Sequence, residues 1–347
     1  MALATIIVPT YNEAENIPHL VDRIRKCLDS TLSYDILIMD DSPTSDTVKV
    51  AQWYKCETVY RTTNKGLSPA VIEGINIAIT KGSDYIVVMD ADLQHPPEVL
   101  PRLLEALKEH DFVIPSRYVK GGGCREWGSD RKLISRVANL MAAPLTMFKV
   151  KDLASGFFGF RTSSLKSTDH LKAKGFKVML ELLVKNQWSS IVEIPYIFEN
   201  REHGKSKLGK SQVVAYVKQL IDLYLHKFKW IRFGMVGGFG TILKLATMYT
   251  CVEVLGLHYM VAYAISFVVA VSSNYTWNSL WTFKQRGSTR GFGSYIGISL
   301  ISLTLNEGVI FLLTGVLGVW YMTSTVIAIL IAFTLNYTLS RRLVWKR

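Results

Sequence analysis

The sequence predicts an α/β domain with a mostly parallel sheet, followed by an all-α transmembrane domain of four helices. Three observations carry this. From residue 3 to about 200, short apolar runs alternate with amphipathic stretches, the pattern of strands joined by covering helices. After residue 230 the alternation gives way to four long apolar stretches, roughly 233 to 257, 259 to 281, 293 to 318 and 321 to 339. The chain of 347 residues is 49% hydrophobic, enough for two folding units of which one does not sit in water.

In chain order, strands are expected at "LATIIVP", "YDILIMD", "CETVYR", "DYIVVMD" and "DFVIPS", with helices at "NIPHLVDRIRKCLD", "SPAVIEGINIAIT" and "PEVLPRLLEALKEH" between them. Residues 1 to 208 form this first domain. Residues 209 to 229, "GKSQVVAYVKQLIDLYLHKFK", set Tyr and Leu against Lys, a composition that suits a helix lying in the membrane interface. Residues 230 to 347 are the membrane domain, each stretch long enough at about 1.5 Å per residue to cross a core of about 30 Å. Lys227, Lys229, Arg232, Lys284, Arg286, Arg290, Arg341, Arg342, Lys346 and Arg347 fall on one side of it. The positive-inside rule places that side, both termini and the first domain in the cytoplasm.

Four cysteines, Cys27, Cys56, Cys124 and Cys251, stand far apart without a C-x-x-C, which excludes a zinc ribbon or a disulfide framework and leaves reduced thiols. "MALATIIVPTYNE" reads as a first strand and not as a secretory signal. The net charge of +12 suits nucleic acid, an anionic bilayer or a phosphorylated substrate; the membrane domain favours the last two, with no nucleic acid. "NYTWNSLWTFK" (274 to 284) and "NYTLSRRLVWK" (336 to 346) share Asn, Tyr, Thr and a final Lys after an aromatic, as two duplicated helical hairpins would. Gly234, Gly237, Gly238 and Gly240 suit close helix packing. Lys244 and Glu307 lie deep within their apolar stretches. Isolated charges there cost about 2.5 to 3.5 kcal/mol each, so the two are expected to pair.

Ligands of open parallel sheets sit beyond the carboxyl ends of the strands. Here those ends carry "PTYNE", "DDS", "RTTNKG", "DAD" and "PSR", so Lys65 and Gly66 fall where a nucleotide would lie. In "VVMDADLQHPP" an apolar strand runs into Asp90, Asp92 and Gln94. On an extended segment alternate residues point the same way, and oxygen-only donors select a hard cation, Mg²⁺ or Mn²⁺, that also holds a substrate phosphate. A solvated turn is the structural alternative for a D-x-D standing alone.

"IIVPTYNE", "MDDSPTSDT", "NKGLSPAVIEG", "MDADLQHPPEV", "IPSRYVKGG", "RKLISRVAN", "DLASGFFGFR" and "FENREHGKSKL" occur in this order. Over residues 3 to 208 the ensemble resembles the dolichyl-phosphate mannose synthases, inverting family 2 glycosyltransferases with a GT-A fold. The C-terminal part resembles the four-helix membrane domain fused to some of them. The Q-x-x-R-W signature of processive synthases is absent. The resemblance implies that Pro9, Tyr11 and Glu13, with Asp40 or Asp41, hold the nucleoside, and that Asp90, Asp92 and Gln94 hold the cation bridging the diphosphate. Purely structural readings remain for Pro9, as the end of a strand, and for Tyr11, as packing.

A lipid phosphate is already mostly dianionic at pH 7, since its second pKa lies near about 6, so the acceptor needs no general base. The site must instead supply cations and alignment. The candidates are Arg117, Arg131 and Ser135, with Arg201, His203 and Lys207 in the segment matching R-x-x-G-x-S-K-L. His203 stands where some relatives carry a second arginine. Asp92, Arg117 and Arg131 are the expected catalytic residues. The Gly-rich stretch from 117 to 130 is expected to be a lid, with Trp127 dipping into the headgroups. The expected donor and acceptor are GDP-mannose and dolichyl or polyprenyl phosphate. The alternatives are another donor such as UDP-glucose, or a membrane protein that moves or organises lipid-linked sugar.

Overall fold

The computed structural model describes residues 3–28, 33–125, 128–169, 171, 177–200 and 210–346. Chain contacts divide it into two compact units, Met1–Leu223 and Tyr224–Arg347. The boundary falls inside a helix.

The first unit runs β1 (Leu3–Thr10), α1 (Asn16–Cys27), β2 (Ser33–Asp40), α2 (Asp46–Trp53), β3 (Glu57–Tyr60), α3 (Leu67–Thr80), β4 (Tyr85–Val88), α4 (Leu100–Leu107) and β5 (Phe112–Ser116). It continues with β6 (Gly123–Cys124), α5 (Ser129–Ala142), β7 (Phe158–Arg161), α6 (Val178–Lys185), β8 (Ile191–Pro195), β9 (Ile197–Phe198) and α7 (Lys210–Lys227). All five expected strands and all three expected helices are present. Seven strands form one sheet in the order β3-β2-β1-β4-β7-β5-β8. Only β7 runs antiparallel, between β4 and β5.

Periodicity explains the core. α1 buries Ile17, Leu20, Val21 and Ile24, and α4 buries Leu100, Leu103, Leu104 and Leu107. Both sets fall at i, i+3, i+4 and i+7, one face of a helix. They pack in one cluster with Ile6, Val8, Ile36, Ile38 and Val87 of the sheet, where each large aliphatic contributes about 1.5–3 kcal/mol. On α3, Gly74 allows close approach, since a Cβ there would lie 2.8 Å from Ile7 and 3.2 Å from Met39. The strand order reverses at β1, with β2 on one side and β4 on the other. Such a switch point opens a crevice at the carboxyl ends of the strands.

The second unit holds α8 (Lys229–Tyr249), α9 (Tyr259–Trp277), α10 (Thr289–Ile310) and α11 (Tyr321–Leu339). Wider π-helical turns extend them to Val254, Phe283, Val316 and Val344. Three of the extended helices, Lys229–Val254, Thr289–Val316 and Tyr321–Val344, are long and apolar enough to cross a membrane. The expectation of four spans is therefore met by composition in three. α9 falls short because it ends in Ser272, Ser273, Asn274, Tyr275 and Thr276.

The hairpin repeat is visible in three dimensions. α8 packs on α9 and α10 on α11, and each hairpin turns at a glycine of positive φ, Gly256 at 64° and Gly318 at 66°, where a side chain would be strained. The aromatics that close the two repeated motifs, Phe283 and Trp345, stack on each other with centroids 4.4 Å apart. Of the four glycines in α8, Gly240 meets a neighbour most closely: a Cβ would lie 2.1 Å from Asn274 Oδ1. Gly234 lies opposite Phe333, and Gly237 and Gly238 have open space. Lys244 does not pair with Glu307. Its ammonium lies 4.1 Å from the centre of the Tyr263 ring, a cation–π contact that lowers the cost of the charge without a carboxylate.

Gly240→Ala should destabilise the membrane unit by about 1–3 kcal/mol, because Asn274 must leave its place. Gly237→Ala should be close to neutral. Thermal unfolding in detergent compares the two.

Candidate active site

Four strand ends and one strand start converge on the rim. β1, β2, β4 and β5 deliver their carboxyl ends there, and the antiparallel β7 delivers its start, so the Asp152–Phe157 segment meets them.

At the end of β2, Asp40 is fully buried. Its Oδ1 accepts hydrogen bonds from the Thr10 hydroxyl at 2.8 Å and the Ser42 hydroxyl at 2.6 Å. Its Oδ2, also buried, has no hydrogen-bond partner among the described residues. Asp41 is differently placed: it pairs with buried Arg61 and accepts the Gly66 backbone N–H at 2.5 Å. Arg61 also reaches Glu73 at 2.8 Å and the Asn64 carbonyl. Lys65 donates to the carbonyls of Asp41 and Ser42, each at 3.0 Å. Of the two aspartates, Asp40 is the one that keeps an unused acceptor oxygen among the described residues. Asp41, Lys65 and Gly66 build the wall beside it. Tyr11 is 47% exposed, Pro9 lies within β1 opposite Met39, and Glu13 accepts from Asn16 at 2.7 Å at the start of α1.

β4 ends at Val88, and the segment after it is a bend, with Leu93 at φ 62°. The extended arrangement expected for Asp90, Asp92 and Gln94 is thereby corrected. The left-handed turn brings the Gln94 N–H to Asp92 Oδ1 at 3.2 Å. Asp92 and Gln94 are buried, while the Asp90 side chain is 41% exposed. The Gln94 amide nitrogen donates to the Glu199 carbonyl at 3.2 Å, and the Glu199 N–H donates back to the Gln94 carbonyl at 3.1 Å. Gly156 lets the chain pass close to Asp90, whose Oδ2 would lie 3.3 Å from a Cβ there.

Buried His95 accepts the Asp90 backbone N–H on Nδ1 at 3.0 Å and stacks on Phe157 at 5.2 Å. Burial lowers its pKa to about 4, outweighing the pull of Asp92 in the other direction. A neutral imidazole cannot offset the two carboxylates. No group of three or more His, Cys, Asp or Glu forms a metal cage among the described residues. Two carboxylates and an amide, all oxygen donors beside a neutral histidine, nevertheless fit a hard divalent cation that a substrate phosphate also ligates.

Arg117, at the end of β5, is buried and bonded to fully buried Asp152. Its Nε and backbone N–H reach Oδ2 at 2.8 and 3.0 Å, and its Nη2 reaches Oδ1 at 2.7 Å. This pairing raises the guanidinium pKa above its already high value. Arg131 and Ser135 sit one turn apart on α5, and the Tyr118 hydroxyl bonds Ser135 Oγ at 2.7 Å. Arg201, His203, Lys207 and Trp127 lie outside the described residues. The described part of the glycine-rich stretch is anchored and not loose: β6 pairs with β9, and the Gly123 N–H bonds the Tyr196 carbonyl at 3.0 Å.

Residues 5–168 match the model of glycosyl transferase family 2, and residues 232–345 match the GtrA/DPMS transmembrane domain. A dolichol-phosphate mannosyltransferase of Pyrococcus furiosus is 35% identical across 98% of this chain and 99% of its own. The chain belongs to the dolichol-phosphate mannosyltransferase family. It is thus a glycosyltransferase and a membrane protein, and its first unit is a GT-A-like sheet. The family's Saccharomyces cerevisiae member is 37% identical over 65% of this chain and 88% of its own. An undecaprenyl-phosphate mannosyltransferase of Micrococcus luteus is 36% identical over 58% and 86%. Among solved structures, a glucosyl-3-phosphoglycerate synthase of Mycobacterium tuberculosis superposes with a TM-score of 0.49 at 18% identity, over 65% of this chain and 79% of that one.

For this mannosyltransferase-family chain, sequence reading missed Asp152, Arg61 and His95 as parts of the rim. Asp152 lies inside the quoted "DLASGFFGFR" motif, so its signal was there. Its partner stands 35 residues away, and no local pattern announces such a pair.

Asp152→Ala should leave the Arg117 charge buried and uncompensated and cost about 3–5 kcal/mol. Asp152→Asn should cost less. Thermal unfolding ranks the two, and equal melting temperatures for wild type and Asp152→Ala would refute the pairing's structural role.

Proposed function

We propose that the protein transfers mannose, with inversion, from GDP-mannose to dolichyl or another polyprenyl phosphate at the cytoplasmic membrane face. The observation that carries this reading is the end-to-end match with a dolichol-phosphate mannosyltransferase, spanning both the rim cluster and the membrane domain. Asp40 would take a nucleobase N–H on its unpartnered Oδ2, with Tyr11 offering an exposed ring. Pro9, Glu13, Lys65 and Gly66 would shape that pocket from the ends of β1 and β3.

Asp90, Asp92 and Gln94 would hold Mg²⁺ or Mn²⁺, which as a Lewis acid stabilises the charge developing on the departing diphosphate. Asp92 is the residue most deeply committed to this task, being buried where a charge must be compensated. Arg131 and Ser135 would orient the lipid phosphate from α5, joined by Arg201, His203 and Lys207. Those three follow in the chain after Glu199, whose backbone is bonded twice to Gln94. Arg117 would act through Asp152, holding the end of β5 and the start of β7 in register. No side chain need remove a proton, because the acceptor is already ionised.

Two outcomes follow for purified protein given Mn²⁺, dolichyl phosphate and a panel of radiolabelled sugar nucleotides. GDP-mannose should label the lipid, whereas labelling from UDP-glucose alone would replace the donor assignment. The rate should also fall as pH drops below about 6, where the acceptor phosphate gains its second proton. A rate that stays flat from pH 7 to 5 at subsaturating lipid would contradict attack by the dianion.

A further inference from the structure

α8 carries Arg232, Met235, Val236 and Phe239 at the i, i+3, i+4, i+7 spacing, one face of a helix. Val236 is buried, whereas Met235 and Phe239 are about half exposed. Trp277, at the end of α9, and Trp281, in the π-helical turn after it, stand across from this stripe. Met235, Val236, Phe239 and the two tryptophans line an apolar groove of about 400 Å³. Its α8 wall belongs to Lys229–Val254, a helix long and apolar enough to cross a membrane, so hydrocarbon is the solvent the groove meets. A helix of a second chain would call for small residues at the contact. Met, Phe and two Trp leave instead a channel that suits a flexible chain.

Arg232 stands one turn before the groove on the same stripe and is tied to its wall. Nη1 donates to the Trp281 carbonyl at 3.2 Å, and the guanidinium carbon lies 5.9 Å from the centre of the Trp281 ring. These contacts fix the side chain without neutralising it. Among the described residues no carboxylate pairs with Arg232, and its buried Nε has no hydrogen-bond partner. A guanidinium offers five N–H donors in a fork that matches phosphate oxygens, and the protein uses one of them. A cation at the edge of an apolar span is costly without an anion, and the headgroups of the bilayer are the anions at that depth.

We propose that this groove is a binding site for one anionic membrane lipid, with a hydrocarbon chain between α8 and the two tryptophans and the phosphate on Arg232. The site goes beyond the transferase reading and does not rest on it. The lipid is a resident of the bilayer and not a substrate: its chain covers Met235, Val236 and Phe239, and its phosphate takes N–H donors that the protein leaves unused. A zwitterionic lipid offers the same chain, but its phosphate is already paired with its own ammonium. Preference for the anionic headgroup is therefore the signature of the site.

The test titrates the full-length protein in detergent with phosphatidylglycerol, phosphatidylcholine or dolichyl phosphate, follows thermal unfolding, and counts retained lipid by native mass spectrometry. Wild type should take phosphatidylglycerol about fivefold more tightly than phosphatidylcholine and retain one molecule per chain. Arg232→Gln should abolish that preference, while Arg290→Gln, which removes another charge of the same unit, should keep it. Trp277→Ala should weaken both phospholipids alike and leave their ratio unchanged, since it removes groove wall and no headgroup contact. An unchanged ratio in Arg232→Gln would overturn the proposal, and so would an equal loss of preference in Arg290→Gln, which would reduce the effect to net charge. Should Arg232→Gln fail to fold, the count on wild type decides. One retained phosphatidylglycerol that excess phosphatidylcholine does not displace supports the site; none, or a broad distribution, overturns it. Dolichyl phosphate that binds more tightly than phosphatidylglycerol and is weakened by Arg232→Gln would make the occupant a substrate lipid, and the assignment to a resident of the bilayer would fall.

Discussion

The rim of the parallel sheet gathers more buried negative charge than it can carry unaided. Asp40, Asp41, Asp92 and Asp152 are all buried there, with Asp90 at the edge, and each carboxylate removed from water must be paired or hydrogen-bonded. The chain settles several of these with identifiable partners. Asp41 has Arg61 and the Gly66 amide, Asp152 has Arg117 on three bonds, and Asp40 has two hydroxyls on one oxygen. Asp90 and Asp92 are set beside a histidine that burial keeps neutral. A divalent cation is the species whose charge and oxygen preference suit that pair.

The same compensation consumes Arg61, Arg117 and Lys65 in holding strand ends together, so they set the geometry of the rim. Helix α7 bonds the backbone of α5 at Ala138 through Tyr216 and the backbone of Lys177, just before α6, through Gln219. In the second unit the duplicated hairpins meet through Phe283 and Trp345, and Lys284 at φ 54° ends the first copy as its sequence twin Lys346 ends the second.

Periodicity made the frame legible. Of the five strands that the alternating apolar runs indicate, β1, β2, β4 and β5 bury residues against α1, α3 or α4 while the half-exposed β3 packs on α2, and the D-x-D and D-D-S segments lie where strand ends must put them. β7 and β8 were harder. "FGFR" is too short and too aromatic to separate from a buried loop, and its antiparallel direction depends on pairing with β4 and β5, which no local pattern encodes. Arg117 was legible as a rim arginine but not as the partner of Asp152, and the bonds that fix the Lys177 backbone were invisible because they come from Gln219, 42 residues on. The pairing of Lys244 with Glu307 failed for a related reason: depth along a helix says nothing of azimuth, and Tyr263 was the nearer neighbour.

The most direct measurement is Mn²⁺ binding to the full-length protein with a saturating nucleoside diphosphate, followed by calorimetry for wild type and Asp92→Asn. Tight binding that the substitution weakens tenfold or more would show that these carboxylates are compensated by a metal. Equal affinity in the two proteins would mean that the rim balances its charge by other means, and the cation would have to be removed from the chemistry.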